Sequence, residues 1–137
     1  MSNRFRYRVW DKNKKQFYFE DYYLDGDGDL FTVEGTREGN VIKYASDPED
    51  LIIQQCTGLK DKNGKLIFEG DVIKILDNYD LYGQLAGEKR EVIFGHGGFR
   101  VKAIYNNTAR GNWLEEGEDH QVIGNIFENP DLLEEEK

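Results

Sequence analysis

Gln55-Cys56-Thr57-Gly58-Leu59-Lys60-Asp61-Lys62-Asn63-Gly64-Lys65-Leu66-Ile67-Phe68-Glu69-Gly70-Asp71 holds two turn signals, Asn63-Gly64 and Gly70-Asp71, and opens onto Val72-Ile73-Lys74-Ile75. An Asn-Gly pair between strand-forming runs favours a tight hairpin turn with positive φ at both central residues. Gly70, directly ahead of an alternating strand, reads as a kink that turns the chain into that strand, a construction frequent in small SH3-like barrels. The stretch predicts a mostly β fold of short antiparallel strands, and it carries no chemistry.

Working outward, residues 4 to 10 alternate, with Phe5, Tyr7 and Val9 on one side, Arg4, Arg6 and Arg8 on the other, and Trp10 closing the run. That pattern predicts a half-buried antiparallel strand. A polar turn at Asp11 to Lys15 and a return strand at Gln16 to Glu20 complete a hairpin. Leu30-Phe31-Thr32-Val33 and Val41-Ile42-Lys43-Tyr44 form a second strand pair around Gly35 to Asn40. Further strands are expected at Ile52 to Gln55, Leu66 to Phe68, Val72 to Leu76, Glu91 to Phe94, Phe99 to Tyr105 and Gln121 to Phe127, with loops at 77–89 and 106–119. Asp47-Pro48-Glu49-Asp50 and Asn129-Pro130-Asp131-Leu132-Leu133 each set a capping residue before a proline, with acids behind it, and predict one short helical turn apiece. Leu132 and Leu133 are both expected to dock the second of these turns. The expected organisation is one domain, with an N-terminal β-hairpin region over 1–50, an SH3-like barrel core over 51–127 and a helical turn with an acidic tail over 128–137.

Three blocks also resemble a known family. Thr57 to Lys65 followed by Ile67-Phe68-Glu69-Gly70-Asp71-Val72 is similar to the core motif of the YopX family, small proteins of phages and prophages. Tyr7-Arg8-Val9-Trp10-Asp11-Lys12 and Val122-Ile123-Gly124-Asn125-Ile126-Phe127-Glu128-Asn129-Pro130-Asp131-Leu132-Leu133 agree with it in order. Cys56 stands where that motif has an aromatic residue. The resemblance implies a mostly β fold with an SH3-like barrel, a phage or prophage origin, and no established activity.

Composition narrows the function classes. With 137 residues, 38% hydrophobic and 13% aromatic, the chain has enough apolar material for a core without metals or disulfides, although 33% of it is charged. The single cysteine fits a reducing compartment, and no apolar leader or membrane-length run is visible, so the expected location is the host cytoplasm. Net charge is −9, of which −4 belongs to residues 127–137. That balance repels a phosphate backbone overall.

No constellation reads as a catalytic, cofactor or metal site. Asp25, Asp27 and Asp29 share a glycine-rich loop, but a calcium loop starting at Asp25 needs glycine at 30 and an acid at 36, where Leu30 and Thr36 stand. Gly95-His96-Gly97-Gly98 lacks the Lys-Ser/Thr of a phosphate loop and is followed by a strand, so a tight turn accounts for its glycines. His96 and His120 have no nucleophile motif beside them, and Cys56, without a CxxC mate, reads as core. The residues singled out for binding are Arg4, Arg6, Arg8, Trp10 and Tyr18, an interleaving of basic and aromatic side chains. Such a strip serves a protein partner, a second copy of the chain included. The alternative is a single-stranded or structured nucleic acid held by the Arg4/Arg6/Arg8 face. A bland reading has these arginines paired across the hairpin with Glu20 and Asp21.

Overall fold

The computed structural model describes residues 5–76, 87–103, 112–113 and 120–133. Their strands are β1 (Tyr7–Asp11), β2 (Gln16–Tyr18), β3 (Tyr23–Leu24), β4 (Leu30–Thr36), β5 (Gly39–Tyr44), β6 (Leu51–Lys60), β7 (Leu66–Phe68), β8 (Asp71–Ile75), β9 (Lys89–Gly95), β10 (Gly98–Ala103), β11 (Asn112–Trp113) and β12 (His120–Asn125). The fold is mostly β, and the paired strands are antiparallel. Among the described residues no helix is long and apolar enough to cross a membrane. Two compact units divide the chain: Tyr7–Gln54, and Met1–Arg6 together with Gln55–Lys137. The division between the units falls at Gln54/Gln55, inside β6. The expected loops at 77–89 and 106–119 lie mostly outside the described residues.

In the unit that contains the quoted stretch, the second half of β6 pairs with β7, Cys56 opposite Phe68 and Lys60 opposite Leu66. A five-stranded sheet runs β11-β10-β9-β8-β12. Ile67, Ile73, Val92, Val101 and Val122 form the core, and Cys56 is fully buried, as its apolar setting predicts. Strand β8 shows why the alternation was legible: Val72, Ile73 and Ile75 are buried while Lys74 stays in water.

The two turn signals behave differently from each other. Gly70 has φ 86°, donates its N–H to Val92 O at 2.8 Å and accepts the N–H of Ile126 at 2.9 Å. A side chain is strained at that φ, so Gly70→Val is expected to cost about 2 kcal/mol. Thermal melting checks it, and an unchanged midpoint would place the kink elsewhere. At Asn63-Gly64 only the glycine has positive φ, 80°. Gly64 N–H donates to Asp61 O at 3.0 Å and Asp61 N–H to Lys65 O at 2.9 Å, which makes a three-residue connection closed by a left-handed glycine. The cause is Asp61: its Oδ1 accepts the N–H of Asn63 and of Lys65, both at 2.9 Å, and stabilises the wider loop. The tight turn with both φ positive lies instead at His96-Gly97, φ 52° and 85°, between the paired Gly95 and Gly98.

Strand β12 carries a register shift between Val122 and Gly124 and then turns sharply, Asn125 Oδ1 accepting the N–H of Phe127 at 3.0 Å and of Glu128 at 2.8 Å. A 3-10 turn follows at Pro130–Leu133, as expected. Leu132 folds back over Gly124, whereas Leu133 is 40% exposed. Docking thus falls to Leu132 alone of the expected pair.

In the Tyr7–Gln54 unit, β1 and β2 form the expected hairpin, Val9 opposite Tyr18 and Trp10 opposite Phe17. The wet arginine side does not extend to Arg8, since Arg8 through Asp11 are all buried. Arg8 Nε donates to Gln54 Oε1 at 2.9 Å, and its guanidinium lies 4.4 Å from the centre of the Phe17 ring. A long stem and a planar head let arginine cover a strand while keeping its charge bonded. The other 3-10 turn, Pro48–Asp50, forms with proline at its start, but Asp47 makes no side-chain cap. Instead Asp50 anchors the β1–β2 turn, accepting Lys12 N–H on its carbonyl and Asn13 Nδ2 on its carboxylate, each at 3.0 Å.

Candidate protein-interaction surface

Strands β3, β4 and β5 form a separate three-stranded sheet in the order β3-β4-β5. The sequences Leu30–Thr36 and Gly39–Tyr44 are rich in β-branched and aromatic residues, which suit a pleated surface. Thr36 closes their hairpin, its hydroxyl donating to Gly39 O at 2.6 Å. Register places Tyr23 opposite Phe31, Phe31 opposite Tyr44, and Val33 opposite Ile42. Directly opposed residues share a face, so these five side chains lie together. Thr32 opposes Lys43, and Glu34 opposes Val41, on the reverse face.

Water reaches the apolar face as well as the reverse one, where the Lys43 and Glu34 side chains are 67% and 59% exposed. Tyr23 is 49%, Val33 45%, Ile42 58% and Tyr44 53% exposed. The rings stack in a row, Tyr23 on Phe31 at 5.5 Å and Phe31 against Tyr44 at 5.7 Å. On the reverse face, Thr32, Glu34 and Lys43 line a cleft of about 350 Å³ with Asp11, Asp47 and Asp50. Both faces of this sheet therefore meet water, and a contiguous exposed apolar surface of this kind marks interaction sites.

The loop Asp25 to Asp29 borders this face. Asp25 Oδ1 accepts the N–H of Asp27 and of Asp29, both at 2.9 Å, and Oδ2 accepts the Tyr44 hydroxyl at 3.0 Å. The Asp29 N–H, above all, holds the Asp25 carboxyl below the usual range, and the same carboxylate raises the Tyr44 phenol. Asp25 therefore serves the hairpin loop, while the carboxylates of Asp27 and Asp29 have no cation partner among the described residues.

The residues singled out for binding are scattered by comparison. Arg4 lies outside the described residues. Arg6 is exposed, Arg8 and Trp10 are buried, and Tyr18 is half-buried with its ring edge-on to Tyr22 at 5.3 Å. Trp10 packs on Phe17, 4.8 Å between centres. Sequence reading placed β4 and β5 but missed their outer face. The signal was present in the alternation of Phe31 and Val33 and of Ile42 and Tyr44, which shows an apolar side without showing whether anything covers it.

The family model described as YopX protein matches residues 6–134. The chain belongs to the YopX family. Among solved structures, protein EF1440 from Enterococcus faecalis is 28% identical, with 94% of this chain and 97% of that one covered and a TM-score of 0.59. Protein yopX from Bacillus subtilis shares the fold at 21% identity and a TM-score of 0.57, with 96% of this chain and 98% of that one covered. No curated protein matches. The YopX match runs through both compact units, so the exposed sheet of Tyr7–Gln54 falls within the family's span.

Proposed function

We propose that this member of the YopX family is a non-enzymatic phage or prophage accessory protein, acting in the host cytoplasm by binding a protein partner. The observation that carries the reading is the outward apolar face of β3-β4-β5, with Val33, Ile42, Tyr23 and Tyr44 all about half exposed or more. Aromatic and aliphatic side chains on a flat sheet suit protein recognition, because burying them on a partner returns roughly 25 cal/mol per Å². In this reading β6 to β12 make a small SH3-like barrel, a reading supported by their antiparallel neighbour order. Arg8, bonded to Gln54 and stacked on Phe17, is committed to the interior of its own unit, which favours a protein partner over a nucleic acid held by Arg4/Arg6/Arg8.

The test is Val33→Asp on the exposed face. Melting should move little, since an exposed substitution shifts stability by about 0.5 kcal/mol or less. Partner recovery from phage-induced host cells should fall about tenfold or more. Equal recovery by both proteins would sink the assignment of this face. A labelled single strand titrated at low salt against wild type and Arg6→Glu checks the competing reading, and saturable, salt-sensitive binding lost in the variant would displace the proposal.

A further inference from the structure

We infer that β5 is an open sheet edge onto which an extended, lysine- or arginine-bearing segment of another protein adds as a fourth strand. The inference rests on the outward face being a recognition surface, and it names the partner's chemistry. Three observations carry it. First, among the described residues β5 has a neighbour only on its β4 side, and all six of its residues are exposed. Bonded pairs alternate along an antiparallel ladder. Ala45 N–H donates to Leu30 O at 3.0 Å, and the register from Phe31 opposite Tyr44 to Thr36 opposite Gly39 then directs the backbone groups of Lys43, Val41 and Gly39 toward β4. The N–H and C=O of Asn40, Ile42 and Tyr44 point away from it, spaced to receive a strand.

Second, the usual edge protections are weak. The strand has no proline, and its one charge, Lys43, sits 3.8 Å from Glu34 across the reverse face. Ile42 and Tyr44, whose backbone groups face outward, also carry side chains on the apolar face. An added strand would gain main-chain bonds and apolar contacts together, the logic of strand addition. Third, charge selects the occupant. The Tyr7–Gln54 unit holds six Lys/Arg against eleven Asp/Glu, a net −5 that is the whole charge of the body outside the acidic tail. Asp27 and Asp29 border the ring row without cation partners among the described residues. Acidic carboxylates beside exposed rings attract a cation both by charge and by the ring faces. A second copy of this chain, at −9, is repelled by the same field.

The experiment is fluorescence anisotropy with three capped, labelled peptides in which valine alternates with lysine, glutamate or serine. The full chain is compared with Ile42→Pro, Asp27→Lys/Asp29→Lys and Val33→Asp, with the melting temperature of each recorded. Ile42→Pro removes an outward N–H and leaves the β4 ladder donors in place. The Lys/Val peptide should bind saturably, weaken as salt rises, and bind about tenfold or more weakly to Ile42→Pro and to the charge variant. The charge variant leaves the edge backbone untouched and decides the matter if the proline variant does not fold. Equal binding of all three peptides, abolished by Val33→Asp, overturns the basic-strand inference and keeps the face. No peptide binding overturns the inference, and recovery with Val33→Asp from host cells then judges the face separately. Concentration-dependent dimers lost in Ile42→Pro would show that the edge belongs to a second copy, which also overturns it.

Discussion

Asp61→Ala is expected to lower stability by about 4 kcal/mol, the largest loss from any single side chain in the quoted stretch. Asp61 is 6% exposed, and its carboxylate accepts three backbone N–H groups: Asn63 and Lys65 in its own hairpin and Val122 in β12, each at 2.9 Å. Alanine leaves the buried Val122 N–H without an acceptor and releases the loop, while the adjacent Lys62 N–H bond to His120 O loses its frame. A fall of about 10 °C or more in the melting midpoint is the readout. Acid titration adds a second check. Burial pushes the Asp61 carboxyl up, but the N–H groups of Val122, Lys65 and Asn63, with His120 nearby, outweigh it and hold the group below 3.8. A depressed folded value means that the stabilisation is complete above the unfolded value and is lost as pH falls through the folded one. The stability gap between wild type and Asp61→Asn should stay constant from neutral pH down to about 4 and close below it. A gap that is unchanged in acid would show that the carboxylate charge contributes nothing.

Gly124→Val is expected to cost about 3 kcal/mol, for a different reason. A Cβ on Gly124 would collide with the Asn129 side-chain amide and come within 2.7 Å of Leu132 Cδ1. Asn129 cannot simply swing away, because its Oδ1 accepts the Asn125 N–H at 3.2 Å, and Leu132 holds the last turn against the strand. Val at this position must displace both. Denaturant unfolding of Gly124→Val alone and combined with Leu132→Ala checks the mechanism. Removing the leucine should recover part of the loss in the double variant, and strictly additive costs would show that Leu132 is not what fills the space.

Local chemistry was legible and distant chemistry was not. Gly70, the alternation of β8, the β4–β5 pair and both proline turns follow from neighbours a few residues away, and they form as expected, although Asp47 does not cap its turn. Asn63-Gly64 was misassigned because the Asp61 carboxylate competes for the same turn, and part of what fixes Asp61 is Val122, far along the chain. Arg8 misled for the same reason. Alternation says which side a residue takes, but Gln54 and Phe17 decide that this side is covered. The exposed sheet is the converse: its apolar side was visible as a pattern, and only the folded surface shows that side meeting water.

One backbone bond bears on how the surface can change over evolution. Cys56 N–H donates to Arg6 O at 2.8 Å, so the chain leaves one compact unit after Arg6 and re-enters it at Gln55 beside its point of departure. To that unit the whole of Tyr7–Gln54 is a loop with pinned ends, an insertion rather than a foundation. Insertions between adjacent positions are the ones a domain tolerates best. The segment carrying the exposed apolar sheet can thus change in length or surface while Asp61, Gly70 and Gly124 hold the other unit as it is.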